Sequence, residues 1–201
     1  MTGEDCIFVP DDYFRELRCD EIFLRLSDRE LEVDLGAGDG GFVVAMGKQY
    51  PERNFLGVER LLGRARKIGR RAAQAGVDNV KVLRLESAYT VEWLLPAASA
   101  ARVHLLFPDP WPKRRHGPRR LVCREEFHRG LARVLRVGGT FCFKTDNEAY
   151  FDAGLIAMRG VGGFDLVGPP WEAGEFYAET DFEEQWKAEG RRLYGACWVK
   201  L

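Results

Sequence analysis

Short apolar runs alternate with amphipathic segments along this chain, and that alternation narrows the possible folds more than any other feature. Leu31 to Leu35 (LEVDL) reads as a strand, a glycine-rich turn follows, and Phe42 to Gln49 opens a helix that Pro51 stops. Asn54 to Val58 is a second strand, Arg60 to Ala75 a basic helix closed at Gly76, and Val80 to Leu85 a third strand. The pattern predicts a helix over Val91 to Ala101, a strand over Val103 to Phe107, a helix over Glu125 to Arg136 and a strand over Thr140 to Lys144. Helix Glu148 to Met158, strand Phe164 to Val167 and a last strand within Gly195 to Leu201 complete the series. A parallel strand reaches its neighbour only through a crossover, so the expected fold is α/β, a mostly parallel sheet with helices on both faces.

At 201 residues with 46% hydrophobic positions, the chain can bury roughly 70% of its unfolded surface and needs no disulfide or metal to do so. A single domain is expected over 1–201, with an N-terminal extension (1–30) ahead of a core (31–201). Five cysteines, odd in number and widely spaced, with only three histidines, argue against a metal cluster or a disulfide framework. Cys142, inside an apolar run, is expected to be a small buried hydrophobe. No stretch nears the ~18 apolar residues of a membrane span, and the start MTGEDCIFVPDD is acidic without a signal-peptide pattern. The expected compartment is cytoplasmic, with no membrane contact.

The net charge of -1 hides a strong segregation. Positions 113–136 hold nine cations against Glu125 and Glu126, and 60–71 hold six cations and no acid. Positions 146–189 invert this, with eleven acids against Arg159 and Lys187. Separated charge of this kind provides a face for a polyanion.

Gly36, Gly38 and Gly41 in GAGDGG fit G-x-G-x-x-G between a strand and a helix, the context in which glycines let backbone approach a ligand. Glu59 ends the second strand where a carboxylate can hold both hydroxyls of an adenosine ribose. An adenosine-containing cofactor follows. NAD would place a pyrophosphate on the turn, whereas S-adenosylmethionine brings an amino group and a sulfonium, for which acids are useful. Asp34 precedes the turn in an otherwise apolar strand, and Asp39 within the turn is expected to cap the helix.

Phe107 to Trp111 (FPDPW) follows the fourth strand, where open α/β sheets bind ligands, and the prolines flanking Asp109 preset its backbone. KRRHGPRR comes directly after, an exposed cationic loop suited to phosphate. GAGDGG, GVE, FPDPWPKRRHGPRR, TDNEAY and TDFE occur in this order, and over roughly 31–195 the chain closely resembles the bacterial tRNA (guanine-N7-)-methyltransferase family. The resemblance implies a Rossmann-like class I fold with a seven-stranded sheet and an antiparallel last strand. It also implies methyl transfer from S-adenosylmethionine, leaving S-adenosylhomocysteine, to guanine at position 46 of tRNA, by a monomer or homodimer and without a metal. Carried over by motif, Asp34, Gly36, Gly38, Glu59 and Asp109 are cofactor positions, Asp109 also being the catalytic carboxylate. The family's next acidic cofactor position falls on Ser87, with Glu86 beside it as a substitute. Lys113, Asp146, Thr180, Asp181, Phe182 and Glu183 are the implied substrate contacts.

Guanine N7 carries no proton before or after methylation, so no general base is needed and alignment dominates. His104, within a strand, is expected to be a satisfied interior histidine. Three other readings remain at this point: a methyltransferase for another RNA, a protein or a small molecule; a non-catalytic RNA-binding relative; and an NAD-dependent oxidoreductase, for which no Tyr-x-x-x-Lys is found.

Overall fold

The computed structural model describes residues 3–23, 28–110 and 120–201. Five strands form the parallel heart of one sheet: β2 (Glu30–Leu35), β3 (Arg53–Val58), β4 (Val80–Leu83), β5 (Ala100–Leu106) and β6 (Leu135–Thr145). Strand β8 (Tyr194–Lys200) runs antiparallel between β6 and the edge strand β7 (Phe164–Val167). The expected seven strands are therefore present. An eighth, β1 (Ile7–Phe8), comes from the N-terminal extension and pairs in parallel with β4, so the order is β1-β4-β3-β2-β5-β6-β8-β7.

Alternation along each parallel strand sends side chains to two separate cores. Leu31, Val33 and Leu35 of β2 join Val103, Leu105, Phe141 and Phe143 on one face, beneath α5 (Glu125–Val134) and α6 (Glu148–Arg159). The opposite face packs Phe55, Val80, Val82 and Leu106 under α2 (Gly41–Gln49) and α3 (Leu62–Ala75). The amphipathic run of α5 buries Phe127, Leu131 and Val134 completely.

Two boundaries differ from the sequence reading. The helix expected over Val91 to Ala101 lies earlier, as α4 (Ser87–Tyr89) continued by a wider π turn over Thr90–Leu94. Glu86 starts it by accepting a hydrogen bond from the Tyr89 N–H at 2.8 Å, and Pro96 lies two residues past its end, where the chain turns extended. Leu135 and Arg136 belong to β6 instead of α5, because Leu135 pairs with Ala100 of β5. One further helix, α7 (Asp181–Ala188), has no counterpart in the sequence reading; Thr180 caps it, its Oγ1 accepting from the Glu183 N–H at 3.0 Å.

Cys142 corrects a further expectation. It lies opposite Cys197 in the β6/β8 register and is joined to it in a disulfide, so it is not a lone packed thiol. Sequence spacing hid the pairing, since the two positions are 55 residues apart and meet only through the sheet.

A polar seam crosses the α2/α3 face. His104 is buried, its Nε2 2.9 Å from Glu32 and its Nδ1 2.7 Å from the Tyr177 hydroxyl, as expected for an interior histidine. Arg53 donates to both Glu32 and Glu175, and Arg102 grips Glu175 with two bonds of 3.1 and 3.2 Å. These contacts fasten the segment before α7 onto the sheet. Burial opposes ionisation of Glu32, but the bonds from His104 and Arg53 and the Arg102 charge overcome it, holding its carboxyl down at about 2. A depressed carboxyl contributes stability that is complete above its unfolded value near 4.5 and is lost as pH falls toward 2. Urea unfolding of Glu32→Ala is therefore expected to show a loss of roughly 3 kcal/mol at pH 7, because two arginines and His104 lose their buried partner, and a flattened acid limb below pH 4.5.

Candidate active site

The strand order reverses between β2 and β5, and a cleft of about 960 Å³ opens there, beyond the carboxyl ends of the parallel strands. Its floor is the turn after β2. The Gly36 and Ala37 N–H groups both donate to the Val58 carbonyl, folding the turn back over β3. Gly36 and Gly38 have φ of 81° and 56°, the left-handed region where a side chain is strained, and open space lies where a Gly36 Cβ would stand. Gly41 is needed for another reason: a Cβ there would come within 2.5 Å of the Asp181 carboxylate.

Asp34 lies in this floor, 4% exposed, and its carboxyl forms no hydrogen bond with any described residue. Burial, reinforced by the nearby Glu59 charge, raises its carboxyl to about 7. Glu59, also buried, accepts hydrogen bonds from the Gly38 N–H (3.1 Å) and the Leu61 N–H (2.7 Å). Two acids thus converge on one crevice with a single set of donors between them. A cationic group would relieve Asp34, and vicinal hydroxyls would suit Glu59, so the donor set fits an adenosyl group that carries a cationic amino acid tail.

Glu86 and Ser87 line the same cleft from the far side of β4. Glu86 keeps one oxygen on its cap bond to Tyr89. Asp109 stands on the opposite rim, exposed, between Pro108 and Pro110. Sequence reasoning missed what aims it. Phe107 holds φ at 51°, a strained backbone for a bulky residue, and is fixed there by its N–H bond to the Lys144 carbonyl at 2.7 Å and by the Trp186 ring against its own. Arg120, the last cation of the basic loop, donates to the Pro110 carbonyl at 2.9 Å and lies over the Tyr150 ring. It braces the Asp109 segment. Lys113 lies in 111–119, outside the described residues.

The remaining wall is α7 and the end of β6. Asp146, Thr180, Asp181 and Phe182 all line the cleft, Asp146 paired with Arg191 at 3.2 Å and Asp181 with Arg71 at 3.0 Å. Glu183 does not line it. Its side chain turns inward to the buried Lys144 ammonium, which also stands 4.7 Å from the centre of the Trp171 ring. Asp39 corrects another expectation, since Gly40 occupies the cap position without a side-chain bond while Asp39 holds Lys67 at 2.5 Å. Tyr150, Trp186 and Arg191 also face the cleft, and only the fold brings them there. The described residues contain no cluster of His, Cys, Asp and Glu able to hold a metal, and no helix among them is long and apolar enough to cross a membrane.

A mostly parallel sheet with antiparallel last strands, and a cleft at its switch point floored by glycines and facing carboxylates, defines a Rossmann-like methyltransferase. Solved structures agree on the fold: the 16S rRNA methyltransferase KamB superposes with a TM-score of 0.61 at 21% identity, covering 90% of this chain and 94% of that one, and the antibiotic-resistance methyltransferase Kmr with 0.60 at 21%, covering 92% and 93%. A family model described as a putative methyltransferase matches residues 28–196. Curated tRNA (guanine-N(7)-)-methyltransferases share 34% identity in Rhizobium etli, over 80% of this chain and 71% of the relative, and 30% in Chlamydia felis, over 98% and 89%. The chain belongs to the tRNA (guanine-N(7)-)-methyltransferase family.

The raised Asp34 carboxyl has a consequence for stability. A group whose folded value exceeds its unfolded 3.8 keeps its proton in the native state, so stability falls as pH rises from about 4 to about 7. Asp34→Asn removes that dependence, and its thermal midpoint at pH 8 is expected to exceed that of the parent, by an amount on the order of 2 to 4 kcal/mol in unfolding free energy.

Proposed function

We propose that this chain transfers a methyl group from S-adenosylmethionine to N7 of guanine 46 in tRNA, releasing S-adenosylhomocysteine, in the cytoplasm. The observation that carries the reading is the meeting, in one cleft, of an unpartnered buried carboxyl at Asp34, the Gly38–Glu59 contact and the proline-framed Asp109. The relatives' stated activity supplies the substrate.

S-adenosylmethionine supplies a methyl group on a sulfonium, already activated toward a nitrogen lone pair. The chain's own residues bind and align. Asp34 would hold the amino group of the donor, Glu59 the ribose hydroxyls, and Glu86 or Ser87 the adenine edge. Asp109, on the cleft rim, would supply a carboxylate to stabilise positive charge moving onto the purine. Asp146, Thr180, Asp181 and Phe182 bound the space left for guanine, and Phe182, stacked on Trp186, offers an aromatic surface to the base. Alignment of this kind is worth roughly 7 to 11 kcal/mol where reacting atoms are held at near-attack distance.

Incubating unmodified tRNA with the protein and labelled S-adenosylmethionine, then cleaving at 7-methylguanosine, tests the assignment directly. A product at position 46 is expected, and a label at another nucleotide or none would overturn it. Donor binding carries its own signature. A cation beside Asp34 lowers its proton affinity, so binding below pH 7 is expected to release a proton, and affinity to rise about tenfold per pH unit up to about 7 and then level off. Calorimetry in two buffers of different ionisation heat measures that proton, and Asp34→Asn is expected to bind the donor more weakly and without pH dependence.

A further inference from the structure

The other basic block begins at Arg60, just ahead of α3, and continues on the helix as Arg64, Arg66, Lys67, Arg70 and Arg71, whose cations divide into two ridges. Arg64, Lys67 and Arg71 follow one another at helical spacing and are tied to the cleft: Lys67 and Arg64 reach Asp39 at 2.5 and 3.8 Å, and Arg71 reaches Asp181. Arg66 and Arg70, one turn apart on the other flank, are exposed and form no ion pair with any described residue. Arg60, on the cleft rim, is likewise exposed and unpaired.

The second basic block behaves differently. Among its described members, Arg120 is bonded to two carbonyls, Arg124 pairs with Glu92, Arg129 with Glu125 and Glu126, Arg133 with Glu16, and Arg136 with Glu30. These cations are spent on the protein itself. Among the described residues of the two blocks, the uncompensated charge lies at Arg60, just ahead of α3, and at Arg66 and Arg70 on it, whose i, i+4 repulsion costs the helix a few tenths of a kcal/mol. A stripe kept against that cost is suited to a polyanion. At the start of α7, Asp181 and Glu179 are already held by Arg71 and Lys187, and Glu184, exposed and without an ion pair among the described residues, repels phosphate. A strand whose base enters the cleft is therefore drawn away over α3.

We propose that the Arg66–Arg70 flank of α3, with Arg60 ahead of the helix on the cleft rim, docks the sugar-phosphate backbone of the RNA on nucleotides adjoining the one that enters the cleft. At 1.5 Å per residue Arg66 and Arg70 stand about 6 Å apart along the helix, close to the spacing of successive phosphates. The proposal rests on the tRNA reading above.

The test compares the parent with Arg66→Ala/Arg70→Ala, neither of which lines the cleft. The double variant is expected to bind unmodified tRNA about tenfold more weakly at 0.1 M salt, with the slope of log affinity against log salt reduced by roughly 1.4 to 1.8, the share of two lost phosphate contacts. Donor affinity by calorimetry and the rate at saturating tRNA are expected to be unchanged, which also shows that the variant is folded. Arg66→Lys/Arg70→Lys is expected to restore most of the affinity and the salt slope. Unchanged tRNA affinity and slope in the alanine variant, beside an active parent, would overturn the docking surface alone. A parent that neither binds nor methylates tRNA would overturn the substrate reading, and this proposal with it.

Discussion

Two carboxyl groups held close together at the ends of neighbouring strands, with too few donors to satisfy both, are the constraint around which this structure is organised. Glu59 takes the backbone N–H groups of Gly38 and Leu61, and the Asp34 carboxyl is left buried without a partner among the described residues. A fold that only needed stability would place an apolar residue at Asp34, as it does at its neighbours Val33 and Leu35. The cost is eased because burial lets the carboxyl keep its proton until the pH nears about 7. The glycine turn, with Gly36, Gly38 and Gly40 in left-handed backbone, leaves this crevice open.

The rest of the molecule keeps that crevice in shape. The seam of Glu32, His104, Tyr177, Arg53, Arg102 and Glu175 pins the chain leading into α7, and the buried Lys144–Glu183 pair pins α7 itself. Strain at Phe107 survives because β6 and Trp186 hold it from two sides, and Asp109 is carried to the rim as a result. Polar residues with motif spacing thus serve two ends. Thr180 caps a helix and lines the cleft, whereas Glu183, three positions on, is an anchor buried in the opposite direction.

Much of the fold could be read before any coordinates, because parallel strands buried on both faces must be apolar throughout and must be separated by crossovers. Leu31 to Leu35, Asn54 to Val58 and the helix after Gly41 were placed to within a residue or two. The errors have local causes. Val91 to Ala101 looked helical by composition, but the Glu86 cap and Pro96 decide where a helix begins and ends, and both lie outside the apolar pattern. Helix α7 escaped notice because its one buried residue is an acid, Glu183, so no buried apolar stripe marks it. Asp34, Glu59 and Asp109 were legible as a candidate site because each lies at or just past the end of a strand, while Tyr150 and the Phe107 strain lie far off in sequence or in backbone geometry and left no signal.

Residue order alone settled the layered α/β architecture, the glycine turn and the charge segregation, since periodicity, chirality and turn chemistry act over a few residues at a time. Which charges are free was decided only by the tertiary structure. Both basic blocks look alike on paper, yet folding brings Glu16, Glu30 and Glu92 to the later one and leaves Arg60, Arg66 and Arg70 facing solvent. The same holds for Cys142, Asp39 and Glu183, whose partners stand 55, 28 and 39 positions away. Electrostatics and hydrogen bonding depend on distance in space, and a linear sequence does not specify that distance until its chain has closed.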